Sequence, residues 1–168
     1  MRKQRRTALY NVMFPVWMLI WFPSWLWLLL IPANYLIDRY VLYLSLGDIK
    51  HRGQFCRRHA WKVCLAGFAA DFVGSLLLLG AYLSIDAVGS GWAHDVVFGL
   101  GFNPFSNVFS LLIAIFAVSI SGLCIYALDL RIIRKTGLSE AQSKHSALML
   151  ATITAPYLFL LPTQLLYR

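Results

Sequence analysis

Residues 105–128 form an apolar run without a single charged side chain. A helix needs about 20 consecutive apolar residues to cross the hydrocarbon core of a membrane, and this run is longer. Residues 61–85 and 146–167 form two more runs of similar length and character. The three runs predict three transmembrane helices with those bounds, which is the strongest constraint on what this chain can fold into.

The overall composition agrees with a membrane protein. Hydrophobic residues make up 60% of the chain, charged residues make up 13%, and the mean hydropathy is +0.67. A soluble domain is typically about half apolar and about a quarter charged. This chain has too few polar side chains to cover a water-soluble globule. The sequence therefore predicts an all-α, polytopic membrane bundle, with residues 1–168 forming a single membrane domain.

The N-terminal region is apolar from about residue 8 to residue 46, which is too long for one span and barely enough for two. Interruptions occur at Pro15, Pro23, Pro32 and the pair Asp38-Arg39. Lys and Arg are abundant on both sides, so the positive-inside rule places both flanks in the cytoplasm. We therefore expect an N-terminal hairpin over residues 7–46. It would consist of a short broken or re-entrant helix over 7–22, a turn at "WFPSW", and a fuller helix over 24–46. The region lacks a small-residue cleavage site, so we expect an uncleaved anchor.

Charge also orients the rest of the chain. The formal net charge is +8, and the basic residues are grouped between the apolar runs. This grouping favours membrane topology over nucleic-acid binding. Residues 86–104 contain no Lys or Arg and are expected outside, whereas residues 131–144 are basic and expected inside. The predicted location is the cytoplasmic membrane, with the N-terminus inside. The basic loop between the hairpin and the next span is expected to contact anionic lipid headgroups. Its contacting residues are Lys50, Arg52, Arg57 and Arg58.

One acidic residue, Asp71, lies near the middle of the predicted helix 61–85. A carboxylate at that depth costs about 2.5–3.5 kcal/mol on insertion scales, and such residues usually bind ions, relay protons or have a partner. Two interpretations remain open: Asp71 binds or relays a cation or proton, or it holds a polar network. The candidate partners for the network are Ser121, Tyr126, Thr154 and Gln164.

Three other features have a structural and a functional interpretation. Asp38 and Arg39 are adjacent, which favours a local ion pair or a lipid contact. Asp129 lies beside Arg131 and is expected at the membrane interface.

The last predicted helix contains Pro156 and Pro162, and each proline frees a carbonyl group one turn earlier. Broken helices of this kind surround substrates in transporters, but a simple kink is the alternative.

The sequence contains no metalloprotease, hydrolase or nucleotide-binding motif, and we expect no cofactor and no bound metal. The leading hypothesis is a channel- or transporter-like protein with a polar centre at Asp71. One chain of this size encloses little volume, so a path for a substrate calls for a homo-oligomer or a larger membrane complex. The alternative is a non-catalytic subunit or assembly factor of such a complex. A lipid-modifying membrane enzyme is a third alternative, which the lack of a catalytic motif disfavours.

Overall fold

The structure is a computed structural model that describes residues 15–21, 25, 27–47 and 49–165. Every regular element in these ranges is a helix. The α-helices are α1 (Trp27–Ser45), α2 (Arg52–Asp86), α3 (Gly91–Phe102), α4 (Val108–Arg134) and α5 (Glu140–Ile153). Short 3₁₀ helices occur at Val16–Ile20, Pro104–Ser106, Tyr157–Leu160 and Thr163–Leu165.

Two helices, α2 and α4, are long and apolar enough to cross a membrane. Helix α2 contains the predicted span 61–85, but it begins at Arg52. The basic segment that the sequence assigned to a loop is therefore helical and continuous with the apolar part. Helix α4 contains most of the predicted span 105–128 and continues to Arg134. Basic side chains in its last turn favour this extension, because they complement the negative end of the helix dipole.

The segment 146–167, predicted as a transmembrane helix that is broken or kinked at its prolines, is not a single helix in the structure. Helix α5 ends at Ile153, and Pro156 follows three residues later. Proline has no N–H group to continue the hydrogen-bond ladder, and its ring clashes with the preceding turn. The chain goes on as the 3₁₀ helices Tyr157–Leu160 and Thr163–Leu165, with Pro162 between them. The two prolines thus break the helix.

The segment 86–104, which was expected to be a loop, contains helix α3. Its N-cap is Ser90, whose side-chain oxygen accepts a hydrogen bond from the Ala93 N–H at 3.2 Å. Serine is among the preferred N-cap residues because its oxygen satisfies a free backbone donor. Buried residues of α3 pack on α2 and α4 at the end of the bundle opposite Arg52 and Arg134.

Helix α1 matches the predicted helix 24–46 closely. Most of the predicted partner, residues 7–22, lies outside the described residues, as does part of the turn predicted at residues 21–25. The described part includes the 3₁₀ helix Val16–Ile20. Trp17 of this helix donates its indole N–H to the carbonyl oxygen of Leu100 in α3 at 2.9 Å. Crossing of the membrane by residues 7–22 stays a prediction.

The core has three layers along the bundle. The layer at the basic end, where α1 and α4 stop and α2 and α5 start, consists of Val41, Leu42, Leu46, Cys56, Val63, Ile133 and Leu150. The middle layer consists of Ala70, Ile125 and Ala151. The layer at the opposite end consists of Trp17, Leu78, Val96, Leu100, Ala117, Val118 and Phe159.

Small residues bring α2 and α4 into close contact in the middle of the bundle. A Cβ atom added at Gly74 would lie 3.1 Å from Cβ of Ser121 and 3.3 Å from the carbonyl oxygen of Ala117. Helices in lipid associate through such close packing, because lipid tails are as apolar as leucine. The close approach fixes which side chains of α2 face α4, and Asp71 is one of them.

A candidate site of three carboxyl groups

Asp71 of α2 meets Ser121 of α4 inside the bundle. The Ser121 hydroxyl oxygen lies 2.9 Å from the carbonyl oxygen of Ala70 and 3.2 Å from Oδ1 of Asp71. Ser121 itself is fully buried. The structure thus brings together the acidic residue that the sequence singled out and one of its four candidate partners.

The other three candidates have different positions. Thr154 lies at the C-cap of α5, where its side chain is next to Asp38 instead of Asp71. Tyr126 packs against the middle core layer. The side chain of Gln164 lies outside the described residues.

Asp38 of α1 is the second acidic residue of the site. It is 5% exposed, and its carboxyl group lies next to the side chains of Cys64 and Thr154. The expected ion pair with Arg39 is absent from the described residues. Consecutive residues of a helix point about 100° apart, so Asp38 faces the bundle while Arg39 faces a cleft at its surface.

Asp129 of α4 is the third acidic residue. The structure buries its side chain inside the protein, and its depth in a membrane stays a prediction. Its exposed fraction is 0%, and neither carboxyl oxygen has a hydrogen-bond partner among the described residues. Arg131, which suggested an interfacial position, is exposed on another face of the same helix. A buried polar group without a partner is rare, because it costs about 1–3 kcal/mol.

Asp38 connects the other two acids. It is close enough to act electrostatically on both Asp71 and Asp129. We call Asp38, Asp71 and Asp129 the carboxylate cluster. Its members come from α1, α2 and α4, so the cluster exists only when these three helices are packed together.

No cation pairs with the carboxylate cluster among the described residues. The ion pairs found there both involve Glu140, which contacts Arg134 and lies 3.3 Å from Nζ of Lys144. These side chains are exposed at the basic end, and the hydrogen bond from Arg134 holds the pKa of the Glu140 carboxyl group below its ordinary value. Among the described residues, ion pairs therefore form at an exposed acid, whereas the carboxylate cluster has no counter-ion.

The cluster lies beside the broken end of the last helix. Thr154 follows the last residue of α5, and its hydroxyl oxygen lies 2.9 Å from the carbonyl oxygen of Leu150. Farther along the broken segment, Phe159 packs on α2 at Gly74. Apolar core layers lie on both sides of this region. Among the described residues, no three His, Cys, Asp or Glu side chains are grouped so that they could hold a metal ion.

The four residues predicted to contact lipid headgroups lie at or near the start of α2. Arg52 donates a hydrogen bond from its guanidinium group to the carbonyl oxygen of Gly47 at 2.7 Å. Lys50, Arg57 and Arg58 are exposed. They are placed where a membrane surface could reach them, at the basic end of the bundle.

No protein-family model, curated protein or solved structure matches this chain. Its function is therefore inferred from its own residues.

Proposed function

We propose that this protein is a small multi-pass membrane protein of the channel or transporter type, and that protons pass through its carboxylate cluster. The observation that carries the proposal is the position of Asp38, Asp71 and Asp129 on three packed helices. Asp38 and Asp129 are buried, Asp71 is partly buried, and none of the three has a cation partner among the described residues. Acidic side chains inside a membrane bundle are costly, and they typically belong to ion pathways or proton relays.

The hydrogen bonds around the cluster favour protons as the transported species. A serine hydroxyl has one hydrogen, and Ser121 has two acceptors, the Ala70 carbonyl and Asp71. Both contacts are satisfied at once if Ser121 donates to the carbonyl and a protonated Asp71 donates to Ser121. Thr154 has a similar position: it donates a hydrogen bond to the Leu150 carbonyl and lies next to the carboxyl group of Asp38. A neutral carboxylic acid is also far less costly to bury than a charged carboxylate.

The distribution of charge supports an orientation. Basic residues lie near the start of α2, the end of α4 and the start of α5, which together form the basic end of the bundle. Residues 86–104 contain no Lys or Arg. By the positive-inside rule, the basic end faces the cytoplasm and α3 lies on the outer side. We place the protein in the cytoplasmic membrane with its N-terminus inside. Since one bundle encloses little space, a complete path would form between several copies.

Proton flux into proteoliposomes tests the proposal. The purified protein is reconstituted with a pH-sensitive dye inside the vesicles, and a potassium diffusion potential drives protons inward. Single Asp→Asn changes at positions 38, 71 and 129 keep the shape of the side chain and remove its ability to exchange a proton. Each should abolish most of the flux while leaving the bundle folded. Asp86→Asn is the matched control, because Asp86 is exposed at the other end of α2.

Two outcomes would count against proton transport. Unchanged flux in all three cluster variants would remove the cluster from the pathway. A parent protein that moves no proton under this driving force would favour the alternative function, a non-catalytic subunit or assembly factor of a larger membrane complex. Co-purification of a stable partner from the native membrane would then identify that complex.

A further inference from the structure

A cleft of about 320 Å³ opens between α1 and α2 at the basic end of the bundle. Its wall is mostly apolar and is formed by Leu36, Arg39, Tyr40, Tyr43, Gly53 and Cys56. The cleft is on the outside of the bundle, whereas the carboxylate cluster is inside it. The two features therefore share no residue and require separate explanations.

Two arginines provide positive charge at this cleft. Arg39 forms part of the wall, and the guanidinium group of Arg52 lies 4.1 Å above the centre of the Tyr43 ring. Both act electrostatically on Cys56, which is buried between the helices. Neither arginine pairs with an acidic residue among those that the structure describes. The cleft thus combines an apolar wall with two cations that an anion could neutralise.

Aromatic residues place the cleft at the depth of lipid headgroups. Tyr35 of α1 and Trp61 of α2 contact each other with 6.4 Å between ring centres, farther into the bundle than the cleft. Tyrosine and tryptophan concentrate at the boundary between hydrocarbon and headgroups. Arg39 and Arg52 lie closer to the basic end of the bundle than Tyr35 and Trp61 do. Leu36, which is 60% exposed, offers an apolar surface next to it.

We propose that this cleft binds one anionic phospholipid. Arg39 and Arg52 contact the phosphate, because a guanidinium group matches phosphate oxygens with two parallel hydrogen bonds. One acyl chain lies along Leu36 and Tyr40. Such a site differs from a diffuse electrostatic attraction of anionic lipids to all the basic residues near the start of α2. Arg57 and Arg58 line a separate depression with Gln54 and take no part in the site.

Native mass spectrometry from mild detergent tests the proposal after reconstitution in mixed phosphatidylglycerol and phosphatidylcholine. The parent protein should retain one phosphatidylglycerol molecule. Arg39→Gln should reduce its retention by at least about fivefold, in line with the contribution of one basic residue near an anionic surface. The control is the double variant Arg57→Gln and Arg58→Gln, which removes more charge outside the cleft and should retain the lipid.

A second variant tests whether lipid is lost when the cleft is filled, without a change in charge or a loss of stability. A Cβ atom added at Gly53 would meet nothing within 4 Å, so Gly53→Leu puts a side chain into the cleft without a clash. Leucine also favours a helix over glycine, so the variant should be at least as stable as the parent. It should nevertheless lose the lipid. Gly80→Leu is the matched control, because Gly80 is equally open on the same helix but far from the cleft.

Three results would overturn the proposal. Equal lipid loss in the control double variant and in Arg39→Gln would show diffuse attraction without a site. Full retention by Gly53→Leu would place the lipid elsewhere. Equal retention of phosphatidylcholine would show that the site requires no anionic headgroup, and displacement of the lipid by millimolar inorganic phosphate alone would show that it requires no acyl chain.

Discussion

The Ser121 hydroxyl oxygen lies 3.2 Å from Oδ1 of Asp71, at the middle of the interface between α2 and α4. The same oxygen lies 2.9 Å from the backbone carbonyl of Ala70. One serine therefore connects α4 both to the backbone of α2 and to the partly buried side chain of Asp71. This links the packing of the two longest helices to the carboxylate cluster, and it makes Ser121 a direct test of the arrangement.

Ser121→Ala should weaken the bundle. It removes a buried hydrogen bond between helices, and such bonds contribute about 0.6 kcal/mol on average and up to about 1.7 kcal/mol in membrane proteins. Reversible unfolding in detergent mixtures measures the change. Ser119→Ala is the control, because Ser119 is exposed and bonds only to the Ile115 carbonyl of its own helix. Equal stability of the two variants would mean that the Ser121 contacts do not hold α2 and α4 together.

Gly99→Ala should destabilise the protein by about 1–3 kcal/mol, which is the usual cost of overpacking. A Cβ atom at Gly99 of α3 would lie 2.7 Å from Cβ of Ser110 in α4, and Ser110 is held by a hydrogen bond to the Val96 carbonyl. Gly80→Ala is the control: it meets nothing within 4 Å and should stabilise α2 by about 0.5–1 kcal/mol. Thermal unfolding followed by tryptophan fluorescence distinguishes the two, and a tolerated Gly99→Ala would contradict the close packing of α3 on α4.

Asp129→Val should stabilise the fold and impair function. The carboxyl oxygens of Asp129 are buried without a partner among the described residues, and removing such a group recovers about 1–3 kcal/mol. Asp129→Asn should give no such gain, since its amide would also be buried without partners. The two variants are compared by unfolding and by proton flux. A destabilised Val variant would show that Asp129 makes a stabilising contact.

Cysteine labelling tests the orientation of the bundle. Cys56 is 1% exposed, so a native cysteine at the basic end is a poor target for a maleimide. Single cysteines are instead introduced at the exposed positions Gln54 and Ser90 in a Cys-free background. In intact cells, an impermeant maleimide should label position 90 and spare position 54. The reverse pattern would invert the proposed orientation.

Only one of the three clustered acids could be recognised from sequence. Asp71 is surrounded by apolar residues in the sequence, so its place among the packed helices could be inferred from its position in the run. Asp38 and Asp129 each have an arginine next to or near them in sequence, which suggested local pairs at the interface. Proximity along a helix is not proximity in space, because side chains one or two residues apart point in different directions. Their burial became visible only when the faces of α1 and α4 were known.

Helix ends were also only partly predictable. The sequence identified both prolines of the last segment, but it did not show whether they would kink the helix or end it. In the structure the helix ends at Ile153, and the segment that follows packs against α2 through Phe159. Helix α3 was missed because its glycines are typical of a loop. Ser90 followed by an apolar stretch was the signal that could have found it.

Helix α2 has 35 residues without a break, from the exposed basic end to Asp86. At a rise of about 1.5 Å per residue it is about 52 Å long, which exceeds the roughly 30 Å of bilayer hydrocarbon. A helix of this length that crosses a membrane therefore extends beyond the hydrocarbon as a rigid rod. A force applied to Arg57 or Arg58, by a partner or by the charged surface of a bilayer, would be transmitted to the backbone of Asp71, because no break in the helix lies between them. If protons pass through the carboxylate cluster as proposed, the helix would couple mechanical events at the membrane surface to that proton transfer.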